Sequence, residues 1–289
     1  MSLDQLSWQV LVVSGSIMTS IGQIFNKSQV HKAASIQVST YKYISGFTLI
    51  TLVWWLTNGV MPKYWWMFML YGMAAGFVVT IYTKASRHSL SKSALMTPIN
   101  QVVSIGIAAL LLKEWQVFDL LTTNGIQMVI ALSLVPVLMW LFHEKTTEAK
   151  QWSTLIWIAI GSLSVMRVAQ KYFLNSIEPV QLLMLQYLGS LLVNLLGLAW
   201  KGHKFYIGKR FAITGLIQGL ITSTAILLYF TGLQMSTVAQ VALLRLPILM
   251  ILTTSFGLLI FKEIKTMSQK KWLGIGVALA MAILVVTAN

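Results

Sequence analysis

The chain has no cysteine and only seven acidic residues among 289. Without cysteine there is no disulfide, no thiolate nucleophile and no Cys-ligated metal. None of the acids lies deep in an apolar run, so no carboxylate is set to hold a proton or a cation there. The four histidines, His31, His88, His143 and His203, stand far apart and form no ligand cluster. No apolar run holds paired carboxylates, a His pair or a Ser/His set, which argues against an intramembrane enzyme and implies no cofactor. No GxxxxGK occurs, so this chain alone does not drive work with ATP. Charge itself is scarce: 10% of residues are charged, against roughly 25% in a soluble domain.

What replaces charge is apolar surface, at 57% of the residues. Ten runs approach the roughly 20 residues that a spanning helix needs: 8–25, 36–57, 65–86, 94–112, 118–142, 153–173, 178–200, 211–235, 238–261 and 270–287. They are continuous rather than alternating, unlike the strands of a membrane β-barrel. The fold class expected is therefore all-α, a polytopic membrane protein of ten transmembrane helices. The run from Trp8 to Phe25 has only Asp4 as a charge before it, and no basic segment. It is read as a retained first helix rather than a signal peptide. The formal net charge of +14 sits mostly in short connections, where it suits anionic lipid and orientation rather than nucleic acid.

The two halves resemble each other. Pro98–Ile99 to Lys113–Glu114 matches Pro247–Ile248 to Lys262–Glu263, and Gly125 and Gly274 continue that register. With a two-residue slip, Tyr82, Ala85 and Ser89 fall against Tyr229, Gly232 and Ser236, and Gly72 against Gly219. Gly15–Ser16 sets more weakly against Gly161–Ser162. Two units are expected, residues 1–150 and 151–289. Five spans is an odd number, so the second unit would enter the bilayer inverted, an arrangement suited to alternating access.

With these landmarks the sequence resembles the drug/metabolite transporter superfamily in its ten-helix EamA-like form. The motif reads Tyr82…Ala85…Ser89…Pro98…Lys113–Glu114…Gly125, then Tyr229…Gly232…Ser236…Pro247…Lys262–Glu263…Gly274. The resemblance covers nearly the whole chain and is specific for fold, not for substrate. It implies a central cavity lined by helices one to four and six to nine, with five and ten peripheral.

Arg167 and Arg245 lie within the sixth and ninth runs. At about 1.5 Å per residue, both fall about 6 Å from the midplane, on the side that bears the termini. Lys171 follows Arg167 by one turn. An intramembrane Arg costs at least roughly 2.5–3.5 kcal/mol, so each needs a partner or a wet cavity. With no carboxylate at hand, a substrate phosphate or carboxylate is the natural counterpart. Candidate binding residues are therefore Arg167, Arg245 and Lys171, with Gln23, Gln170, Tyr82, Tyr229 and Asn100. Further polar groups are Gln101, Gln186 and Gln218, and aromatic candidates for a cation are Tyr41, Tyr43, Tyr82, Tyr187 and Tyr229. Lys42, Lys84 and Arg87, on the other side of the midplane, form either a basic entrance or headgroup anchors, and anchoring is the reading taken. Pro98 and Pro247 weaken their helices, and Gly72 and Gly219 let backbones approach; all four are candidate gating positions. The Lys113–Glu114 and Lys262–Glu263 pairs read as caps or interfacial ion pairs.

Basic residues favour the face away from the termini, where Lys145, Lys150, Lys201, Lys204, Lys209 and Arg210 fall; Lys63, Lys113 and Lys171 fall on the other. The positive-inside rule then places both termini outside. The expectation is a multi-pass protein of the plasma or inner membrane, monomer or homodimer, that carries small polar metabolites by alternating access. The substrate class expected is anionic or zwitterionic: an amino acid, a carboxylate or a phosphorylated compound. Two alternatives stand: a lipid-linked-substrate flippase or accessory membrane subunit, and an exporter of cationic drugs or amines through an aromatic pocket.

Overall fold

A computed structural model of the chain describes residues 7–30, 33–88, 97–142, 150–206, 208–259 and 269–288. Among them run ten α-helices: α1 (Trp8–Val30), α2 (Ser35–Leu56), α3 (Trp65–His88), α4 (Thr97–Leu111) and α5 (Thr123–Phe142). Then follow α6 (Lys150–Leu174), α7 (Pro179–Trp200), α8 (Lys209–Gln234), α9 (Val238–Leu259) and α10 (Gln269–Thr287). No strand occurs among the described residues. The fifth run starts later than expected, because Glu114–Phe118 forms a 3-10 turn between α4 and α5. Four stretches, Trp8–Asn26, Trp65–Lys84, Pro179–Trp200 and Lys209–Gln234, are by themselves long and apolar enough to span a bilayer.

Polarity is turned inside out. Leu110, Leu196, Trp140, Leu279 and Ile283 are exposed, while Gln101, Ser104, Ser164, Ser190 and Asn194 are buried. That distribution suits a hydrocarbon surround, where helices associate through small residues and interhelical hydrogen bonds. Ser190 Oγ donates to the Gly72 carbonyl at 2.7 Å, and Thr80 Oγ1 donates to Asn194 Oδ1 at 3.0 Å.

The largest interfaces join one half of the chain to the other. Helix α1 packs on α8 and α9, α2 on α7 and α8, α3 on α6 and α7, α4 on α6 and α9, and α5 on α10. Each of these pairings persists when every helix is exchanged for the one five places along. The α2 and α7 helices make the correspondence local. Gln37 and Gln181 each stand three residues after the residue preceding their helix, and each Oε1 accepts from that residue's N–H, at Ala34 and Glu178. Each Nε2 then donates to a connection in the other half: Gln37 to the Lys204 carbonyl, Gln181 to the Val60 carbonyl. In the same register Tyr43 matches Tyr187, and those two rings meet edge to face at 5.5 Å.

Glycine sets how closely the halves approach. A Cβ on Gly72 would lie 2.6 Å from Gln186 Cα, and one on Gly219 would lie 3.0 Å from Lys42 Cα. A Cβ on Gly125 would lie 2.6 Å from the Asp119 carbonyl carbon, so this motif glycine lets the α4–α5 connection fold against α5. Pro98 is the second residue of α4, and its side chain lies outside the description. Pro247 lies inside α9.

Contacts between helix ends fix two faces. The end of α6, the end of α8 and the start of α9 gather on one face with the α4–α5 connection. There Lys171 Nζ donates to the Leu233 and Gln234 carbonyls, and Gln234 Nε2 donates to the Leu174 carbonyl. The start of α1 lies beside Gly232 on that same face, and Gln127 of α5 bonds Thr287 at the end of α10. We term it the terminal face. On the opposite, far face, the start of α2 meets the α7–α8 connection, where Tyr41 stacks on Phe205 at 5.3 Å.

Candidate functional site

Between the halves lies a chamber of about 270 Å³, lined by α1, α2, α3, α4, α6, α7, α8 and α9 but not by α5 or α10. Its size sits near the lower end of small-molecule sites, roughly 300–1,000 Å³. Arg167 and Arg245 both line it, as do Gln23, Gln170, Tyr82, Tyr229 and Asn100. Seven of the eight expected binding residues thus meet around one space. Lys171 is the eighth and is not in the lining; its ammonium ties the end of α6 to the last carbonyls of α8. Gly72, Gly219 and Pro247 also stand outside the lining, where the two glycines serve helix contact.

The two arginines are held differently. Arg167 Nη1 donates to Gln101 Oε1 and, at 3.4 Å, to Ser104 Oγ. Ser164 Oγ donates to the Asn100 carbonyl at 3.1 Å, fastening α6 to α4 beside this pair. Arg245 has looser company. Its guanidinium lies 4.3 Å from the centre of the Tyr229 ring, and Nη2 reaches Thr19 Oγ1 only at 3.4 Å. Its Nε is buried with no hydrogen-bond partner among the described residues. Gln101 Nε2 on α4, Gln186 Oε1 on α7 and Gln218 Oε1 on α8 are likewise buried and unpaired at the same chamber. Gln218 Nε2 donates to Asn26 Oδ1 at 3.3 Å.

Lys42 is a correction. Read from sequence as a headgroup anchor, it faces the chamber instead. In the register that pairs Gln37 with Gln181 it stands against Gln186, also in the lining. The chamber therefore holds three cationic side chains, Lys42, Arg167 and Arg245, and among the described residues no aspartate or glutamate lines it. Neither arginine repeats between the halves. The register that sets Pro98 against Pro247 sets Met96 against Arg245, and that pairing Gly15 with Gly161 sets Ile21 against Arg167. The aromatic reading thins out. Tyr41 is taken by Phe205 at the far face, Tyr43 and Tyr187 face each other, and of the two tyrosines in the lining, Tyr82 and Tyr229, the latter already carries a guanidinium.

Glu114 forms a cap, though not a local one. Lys113, in the left-handed region at φ 58°, turns the chain so that Glu114 reaches α9 in the other half. Its carboxylate accepts from the Val238 and Ala239 N–H groups at 3.1 and 3.3 Å, two of the first amides of that helix. A carboxylate there meets the positive end of the helix dipole. Burial pushes its carboxyl above the usual value, opposed by those two amides and by Lys171. Lys262 and Glu263, the matching pair, lie outside the described residues, as does the side chain of Arg87.

Residues 153–287 match the model of the EamA-like transporter family. A solved crystal structure superposes over 98% of this chain and 99% of its own, with TM-score 0.72 and 11% sequence identity, a likeness of fold alone. No curated protein matches the chain. The chain is thus a polytopic helical membrane protein with an EamA-like transporter domain in its second half, of the kind grouped in the drug/metabolite transporter superfamily.

Proposed function

We propose that the chain is an alternating-access carrier for a small anionic or zwitterionic metabolite, bound in the chamber between Arg167 and Arg245. The observation that carries this reading is the charge of the lining: among the described residues, three cations and no carboxylate in one polar space. A buried guanidinium is stable only with a counter-charge, good hydrogen bonds or water. Arg245 has a ring face and one long contact, so an anion arriving there gains more than it would against a satisfied arginine. A cationic solute would meet three like charges and two tyrosines, Tyr82 and Tyr229, of which Tyr229 already carries a guanidinium. The chamber suits a metabolite rather than a lipid-linked sugar.

Residues 1–150 and 151–289 act in this proposal as two inverted units that rock about the chamber. The exchange-invariant helix pairing and the twin capping glutamines support it. Gly72 and Gly219 are the contacts across which the units move, and Pro98 and Pro247 the places where α4 and α9 bend. The basic far face lies in the cytoplasm of a plasma or inner membrane, with both termini outside.

Purified protein reconstituted into liposomes tests the substrate site. Arg167→Gln and Arg245→Gln should each abolish uptake of carboxylate or phosphate-bearing solutes while leaving expression intact. Full uptake by both variants removes the anion-carrier reading.

A further inference from the structure

The chamber's unpaired groups distinguish an anion from a zwitterion. Resting on the carrier reading, we infer that the solute is a hydroxylated oxyanion without an ammonium group, such as a hydroxy acid or a hydroxylated phosphate ester, with its head seated on Gln101 and Arg245.

Gln101 is fully buried, and its amide can face only one way. A guanidinium donates and never accepts, so Oε1 must be the atom that receives Arg167 Nη1. Nε2 is therefore the other end, a buried donor with no acceptor among the described residues, on a side chain that lines the chamber. Arg245 Nε is a second buried donor in the same condition, on the facing helix α9. Two unmet donors beside two positive charges ask for acceptor oxygens carrying negative charge. An oxyanion seated between them meets that need.

The rest of the wall argues against an ammonium. Every charged side chain in the lining is cationic: Lys42 on α2, Arg167 on α6 and Arg245 on α9. An amino group bound there meets cations and, among the described lining residues, no carboxylate. The unmet acceptors, Gln186 Oε1 and Gln218 Oε1, are neutral amide oxygens, and a hydroxyl group satisfies them without bringing a fourth positive charge. An oxyanion head toward α4 and α9, with hydroxyls toward α7 and α8, uses each of these four unpaired atoms.

Isosteric pairs provide the test, since each differs only by hydroxyl against ammonium: glycerate and serine, malate and aspartate, 3-phosphoglycerate and phosphoserine. Their binding to the purified full chain is measured by calorimetry and by the shift in melting temperature. At least one hydroxy compound should bind at least about tenfold more tightly than its amino twin. Amino twins that bind as well or better overturn the inference, and the carrier reading survives if Arg167→Gln and Arg245→Gln still abolish uptake. Failure of all six compounds to bind overturns the inference as well. Gln101→Glu provides a second readout: it keeps an acceptor on Arg167 but replaces the free donor with a carboxylate oxygen. Affinity for the hydroxy compound should fall at least about tenfold while the unliganded protein melts no lower. Unchanged affinity in Gln101→Glu removes Gln101 from the site and refutes the assignment.

Discussion

If Arg245 is there for a ligand, its removal should not harm the empty protein. Placing an arginine within a span costs at least roughly 2.5–3.5 kcal/mol. Against this stands a cation–π contact with Tyr229 at 4.3 Å, worth about 0.5–2 kcal/mol. The 3.4 Å approach to Thr19 exceeds the usual N–H···O range and adds little. The unpaired Nε carries a desolvation cost of about 1–3 kcal/mol. Arg245→Met, which keeps the volume, should therefore be neutral or raise unliganded stability by about 1–2 kcal/mol. Arg167→Met should do the opposite. It strips the partner from Gln101, whose amide is buried with Nε2 already unpaired, and leaves a second orphan costing about 1–3 kcal/mol. Scanning fluorimetry in detergent reads the order of melting temperatures, and liposome uptake reads function. The order expected is Arg245→Met at or above the parent and Arg167→Met below it, with uptake lost in both. An Arg245→Met protein that melts several degrees lower yet transports would show the residue to be structural.

Three further predictions rest on contacts outside the chamber. Burial raises the Glu114 carboxyl above its ordinary 4.5, so the fold holds that proton more tightly than the unfolded chain does. Stability should then decline as pH rises from about the ordinary carboxylate value through the raised one. Glu114→Gln, which keeps an acceptor for α9 without charge, should flatten this decline; a melting profile with unchanged pH dependence counts against it. Lys171→Met should lower stability by about 1.5–3 kcal/mol through loss of two charged hydrogen bonds and leave solute affinity intact. Lost affinity at undiminished stability would return Lys171 to the binding site. Gly72→Ala forces a Cβ to 2.6 Å from Gln186 Cα, and a melting temperature lower by about 1–3 kcal/mol equivalent is expected; a neutral result would mean that α3 and α7 separate freely.

Much of the fold was legible because bilayer thickness restricts a spanning element to one length and one kind of composition. The matching Pro98 and Pro247 registers suggested two units, and charge in an apolar run pointed to Arg167 and Arg245, which the structure places in one chamber. Side-chain facing was not legible. Helices such as α2, α8 and α9 are apolar nearly all round, so no polar stripe shows which side looks inward. Their rotation is set by contacts with the other half, as where Gly219 seats on Lys42. Lys42 therefore read as an anchor although it lines the chamber. Lys171 read as a ligand because it shares a face with Arg167 at one-turn spacing, yet the adjacent end of α8 offers it two carbonyls. Glu114 could not be assigned to α9 because the contact crosses the chain. The Gln37–Lys42–Tyr43 and Gln181–Gln186–Tyr187 register was available as a signal. It pairs a lysine with a glutamine now known to share the lining.

The absence of cysteine makes the alternating chamber directly testable. Thr222 lines it on α8 and is nearly buried, at 9% exposure. Thr222→Cys puts the chain's sole thiol there, to be labelled in sealed vesicles by an impermeant maleimide added to either side. Labelling from both faces, with a bound solute shifting the ratio between them, is the expected result. Labelling from one face alone, under every condition and with every solute, would contradict a carrier whose two halves open the chamber in turn.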